Sequence, residues 1–134
     1  MSATVTELLE QLSANYQLQF MLYQKVQQIA QAEGVLIENQ EMLQLIELLH
    51  SSEEIMQRIQ ELEEPQKKNR KLLCALLPGN RLSLDLLACL TETRVFLRYK
   101  QVLGQLAEIL AEIETLRNNN IMRLAQMRLV KNQL

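Results

Sequence analysis

The sequence predicts an all-α protein: an elongated antiparallel helical hairpin or bundle of three to four helices with a long C-terminal helix. Two observations lead there. Across 134 residues, apolar types make up 48% and aromatics only 4%, with no Trp, three Gly, two Pro, 28 Leu and 16 Gln. A sheet protein needs β-branched and aromatic residues and frequent turn-forming glycines, and a disordered chain lacks this aliphatic content. Apolar residues also recur at helical spacing over long runs with few interruptions. The length fits one domain, residues 1–134.

The first helix starts near Thr4. Thr4-x-x-Glu7 has capping-box spacing, in which the Thr oxygen satisfies an orphan N–H. Val5, Leu9, Leu12, Tyr16, Tyr23, Val26 and Ala30 then fall at heptad a and d positions, interrupted at Gln19. Leu8, Leu18, Leu22 and Ile29 widen the stripe toward a bundle with two neighbours. Gly34 reads as the helix stop, and the short loop to Glu38 sends the second helix back antiparallel. Asn39 reads as its N-cap. Met42, Leu45, Leu49, Met56, Ile59 and Leu62 form its stripe, thickened by Leu43, Ile46 and Ile55. Pro65 fits a kink or the first turn of a new short helix over 65–77. Pro78-Gly79-Asn80 is the clearest turn.

The last element begins at Ser83, an N-cap with Asp85 in the first turn. Its stripe runs from Leu86 through Tyr99, Val102, Leu106, Ile109 and Ile113 to Leu116. Gly104, inside that stripe, reads as a place of close helix approach. Asn118-Asn119-Asn120 marks a hinge or helix end, after which 121–130 is helical again.

The net charge of -2 hides a strong asymmetry. Residues 1–64 carry eleven acids and two bases, whereas 65–134 carry five acids and twelve bases. After Glu114 there is no acid, only Arg117, Arg123, Arg128 and Lys131. Two readings stand side by side: the acidic half pairs with the basic half inside one bundle, or the basic end meets a partner.

Little in the chain points to chemistry. Glu47-x-x-His50 is half of a di-metal motif, but no second His exists. Cys74 and Cys89 lie fifteen apart without a CxxC pair and sit among leucines, which reads as core filling and a reducing compartment. Three isolated glycines build no phosphate loop. The expectation is therefore no enzyme, no metal and no cofactor. Lys67-Lys68-x-Arg70-Lys71 is basic, yet the pI of about 5.5 and the acidic first half argue against nucleic acid. No run of about 18 apolar residues and no signal-peptide pattern exist, so a cytoplasmic protein without a membrane span is expected.

The remaining feature is the C-terminal segment 117–134, basic and amphipathic. Ile121, Met122, Leu124, Ala125, Met127, Leu129 and Val130 cover more than one helix face. A face wider than one neighbour can cover is a candidate docking surface, and the alternative is that it completes the bundle or a homodimer seam. The near-regular heptads of the first helix suggest a rival reading, a structural coiled-coil or adaptor protein that homodimerises through that helix.

In order, the chain has a long amphipathic helix, a Gly-containing turn, an acidic second helix ending in Glu-Leu-Glu-Glu and a Leu-rich segment. A long helix then runs through Glu108-Ile-Leu-Ala-Glu-Ile-Glu-Thr-Leu-Arg-Asn-Asn-Asn120 into a basic amphipathic end. This layout resembles the FlgN family of flagellar export chaperones, with the FliT type as helical relatives. Thr115 stands where the family has the first of two spaced Asn, and Ile121-Met122 stand where it has a Leu pair. The resemblance implies a cytoplasmic chaperone for the helical C-terminal regions of hook–filament junction proteins. Such a chaperone prevents premature self-association and presents its clients to the export apparatus. It implies client contacts at Ile121, Met122, Leu124, Ala125, Met127, Leu129 and Val130. Arg117, Arg123, Arg128 and Lys131 would steer an acidic partner.

Overall fold

A computed structural model describes residues 4–133, with side chains described to residue 128. Four α-helices occur among them: α1 Val5–Glu38, α2 Met42–Leu76, α3 Leu84–Leu90 and α4 Thr93–Gln133, with one 3₁₀ turn at Pro78–Asn80. No strand occurs among the described residues. The architecture is the expected all-α elongated bundle with a long C-terminal helix.

α1 is the axis of the molecule, packing against both α2 and α4. Four side-chain contacts set the directions. The rings of Tyr16 and Tyr99 lie 6.4 Å apart, and Asn120 reaches the carbonyl of Ala30 at 2.9 Å, so α1 and α4 run parallel. Ile59 clusters with Val26, and Gln66 donates to Asn15 at 2.8 Å, so α2 returns antiparallel along α1.

The main core fills the end where α3 lies. Leu8, Leu9, Leu12 and Tyr16 from α1 meet Leu73 and Leu77, Leu87 of α3, and Val95, Tyr99, Val102 and Leu106 of α4. Each fully buried Leu there contributes about 1.5–3 kcal/mol relative to exposure. A smaller cluster of Val26, Ile59, Ile109 and Ile113 continues toward the other end. The heptad positions Leu9, Leu12, Tyr16, Val26 and Ala30 are all buried within this one chain. In this fold that stripe of α1 is not offered to a second copy.

The caps follow the sequence. The Glu7 amide donates to the Thr4 hydroxyl, and the Leu86 amide is directed at the Ser83 hydroxyl. The interruption at Gln19 has a structural partner, because Gln19 is buried and accepts from Gln66 at 3.0 Å. Buried amides need such partners.

Several expected breaks are absent. α1 passes through Gly34 to Glu38, and the chain reverses at Asn39–Glu41 with Gln40 in the left-handed region at φ 57°. Asn39 is accordingly not the N-cap of α2; Glu41 holds that position without a side-chain cap. α2 runs through Pro65 without ending. The ring faces solvent, and the neighbouring Gln66 and Leu73 are anchored in the bundle. Tertiary packing of this kind outweighs the roughly 3 kcal/mol propensity cost of Pro. α4 continues unbroken through Asn118–Asn120. Conversely, the element expected from Ser83 onward is interrupted: α3 stops at Leu90, with Thr91 and Glu92 between it and α4. Gly104 is exposed, and nothing lies within 4 Å of where its Cβ would be, so it serves no close approach.

Candidate docking surface at the α4 end

α1 and α4 come together closely at Gly34. A Cβ there would lie 3.0 Å from Asn120 Oδ1 and 3.4 Å from Arg123 Nη1. Asn120 is buried, with its amide hydrogen-bonded to the α1 backbone at Ala30. The Asn run is thus a polar clamp between helices rather than a hinge. Asn118 and Asn119 face solvent.

Charged groups surround the clamp. Burial pushes the carboxyl of Glu33 above its ordinary range, while Arg117 and a hydrogen bond with Asn120 act in the opposite direction. Burial also raises the Tyr23 hydroxyl, with Glu63 adding to the shift and Arg117 opposing it. Arg123 pairs with Glu38 at 2.9 Å. Among the described residues this is the one ion pair that joins two helices, since the other, His50 with Glu53, lies within α2. Wholesale neutralisation of the acidic half by the basic half is therefore not how these charges are arranged. The surface pair contributes about 0–1 kcal/mol.

Because Gly34 faces Asn120 and α1 ends at Glu38, α4 outlasts α1 by about two turns. Here the predicted contact residues separate. Ile121 is 62% exposed, Met122 59% and Leu124 36%. Ala125 and Arg128 are exposed, and Met127 is half-buried. Arg117 is half-buried beside Glu33, and Arg123 is committed to Glu38. Leu129, Val130 and Lys131 lie outside the described side chains.

A second apolar stripe at this end was not expected to face solvent. Met42, Leu43, Ile46 and Leu49 read as core from their spacing, yet all four are exposed, Leu43 at 78%. Only Leu45 of this stretch is buried. The signal lay in the width of the apolar pattern, which exceeds what contact with α1 alone can cover.

The residues weighed for chemistry remain apart. His50 is exposed beside Glu53, Cys74 is half-buried, and Cys89 is exposed rather than core-filling. No group of three or more His, Cys, Asp or Glu is placed to hold a metal ion among the described residues. No helix among them is long and apolar enough to cross a membrane. No protein-family model, curated protein or solved structure matches the chain.

Proposed function

We propose that this protein is a non-enzymatic binding protein, a cytoplasmic export chaperone for helical C-terminal regions of flagellar hook–filament junction proteins. The observation that supports the reading is the stretch of α4 just past the clamp at Asn120, where Ile121, Met122 and Leu124 are exposed. An isolated coiled-coil-forming segment exposes an apolar stripe. A helix with a matching stripe covers it by helix-in-groove packing. The resemblance in layout to FlgN-type chaperones names the client class, and the physical reading names the surface.

The test is binding of a fluorescent peptide carrying the helical C-terminal region of a hook–filament junction protein. Ile121→Ser with Leu124→Ser leaves the clamp intact and removes the stripe. Loss of about tenfold or more in affinity supports the reading. Unchanged affinity in a folded variant places the contact elsewhere.

A further inference from the structure

Two apolar stripes lie at the same end of the bundle and carry opposite charge. α2 opens with Met42, Ile46 and Leu49 on one face, joined by Leu43. Glu41, Glu47, Glu53 and Glu54 flank this stripe, and no Lys or Arg of α2 precedes Arg58. Glu53 continues the stripe one turn past Leu49, with its side chain 78% exposed. On α4, Ile121, Leu124 and Ala125 share a face that Arg128 continues. Beyond Glu114 that helix has bases only. Within one chain both helices pack chiefly on α1 rather than on each other.

We propose that two copies of this chain associate tail to tail about a two-fold axis, the α4 end of each lying along the start of α2 in the other. The topology supplies the geometry. α4 runs toward this end of the bundle and α2 runs away from it. A two-fold axis perpendicular to the bundle therefore sets α4 parallel to the second copy's α2. The stretches Ile121–Arg128 and Met42–Leu49 are each about two turns long. Apolar flank meets apolar flank, and the basic continuation at Arg128 meets the acidic border at Glu47 and Glu53. The contact is isologous and is made twice, so each charge pair counts double. The interface is small and bordered by charge, so the association is reversible and weakens with salt.

This assembly deepens the chaperone reading, on which its regulatory meaning rests. It covers Ile121 and Leu124, so a client helix and a second copy compete for one surface. The unloaded protein then shields its own apolar end until a client arrives.

Sedimentation velocity on the full chain at low and high salt tests the assembly. Arg128→Glu and Glu53→Lys are exposed changes, and circular dichroism checks their folding. The wild type is expected to dimerise. Each variant alone is expected to dimerise about tenfold more weakly. An equimolar mixture is expected to regain wild-type association, because both contacts in the mixed pair are again oppositely charged. A wild type that stays monomeric at low salt and high concentration overturns the proposal. So does dimerisation that neither variant weakens, or a mixture no better than its parts. The junction peptide separates the two readings. A peptide that binds without dissociating the dimer overturns the competition and leaves the chaperone reading intact. A protein that dimerises by charge swap yet binds no peptide keeps the assembly and removes the client.

Discussion

The two ends of the bundle use the same helices and differ in what holds them together. At the α3 end, eleven buried apolar residues, ten from α1, α2, α3 and α4 and Leu77 from the turn after α2, close a core. At the other end the buried cluster has four members, and beyond it a buried Asn and one surface ion pair fix α4 to α1. There the apolar residues of α2 and α4 face outward. Equal helicity therefore conceals unequal packing. One end is closed by its own side chains, and the other keeps apolar surface in reserve.

The widest gap between the ends is expected for core truncation. Leu12→Ala, at a fully buried position, should cost about 3–4 kcal/mol by urea denaturation. Comparable loss from Ile121→Ala, which is 62% exposed, would erase the distinction. Asn120→Leu comes next. It strips the Ala30 carbonyl of its side-chain partner and should cost about 1–3 kcal/mol. Hydrogen exchange should quicken in α4 near residue 120 while amides around Leu9 and Val102 keep their protection relative to global unfolding.

The glycines sharpen the contrast at a smaller scale. Gly104→Ala meets open space and should stabilise by about 1 kcal/mol. Gly34→Ala has the same propensity gain but places its Cβ 3.0 Å from Oδ1 of Asn120, whose Nδ2 is fixed by its bond to the Ala30 carbonyl. Its melting temperature should fall below that of Gly104→Ala. Equal gains would mean that the clamp yields freely.

The smallest effect is electrostatic. Burial raises the Glu33 carboxyl in the folded state, so the fold holds that proton more tightly than the unfolded chain does. This contribution is full below the ordinary carboxyl range and is lost as pH rises through the raised folded value. Glu33→Gln should raise the melting temperature at pH 7, with the gain fading below about pH 4. A gain independent of pH would point to packing instead.

Much of this fold was legible in the residues. Thr4 and Ser83 announced helix starts, Pro78-Gly79-Asn80 announced the turn, and periodicity announced the long helices. The misread positions were punctuation. Gly34, Pro65 and Asn120 each weaken a helix locally, yet each sits where tertiary contact or solvent-facing placement overrides propensity. The exposed start of α2 was illegible for a different reason. An apolar stripe reads the same whether its neighbour is in the same chain or absent, and Met42, Leu43, Ile46 and Leu49 have no neighbour here that covers them.

The buried residues of α2 are Leu45, Ser52, Ile59, Gln66 and Leu73, spaced by seven and alternating apolar with polar. A heptad repeat normally tolerates sliding, because a shift of two turns puts like upon like. Here such a shift would exchange every Leu or Ile with a Ser or Gln and strand the Gln66 amide against hydrocarbon, away from Asn15 and Gln19. Only a four-turn slide would restore the match, at the loss of much of the overlap with α1. One amide and one hydroxyl on α2 thus make a pair of otherwise slippery rods lock in a single alignment.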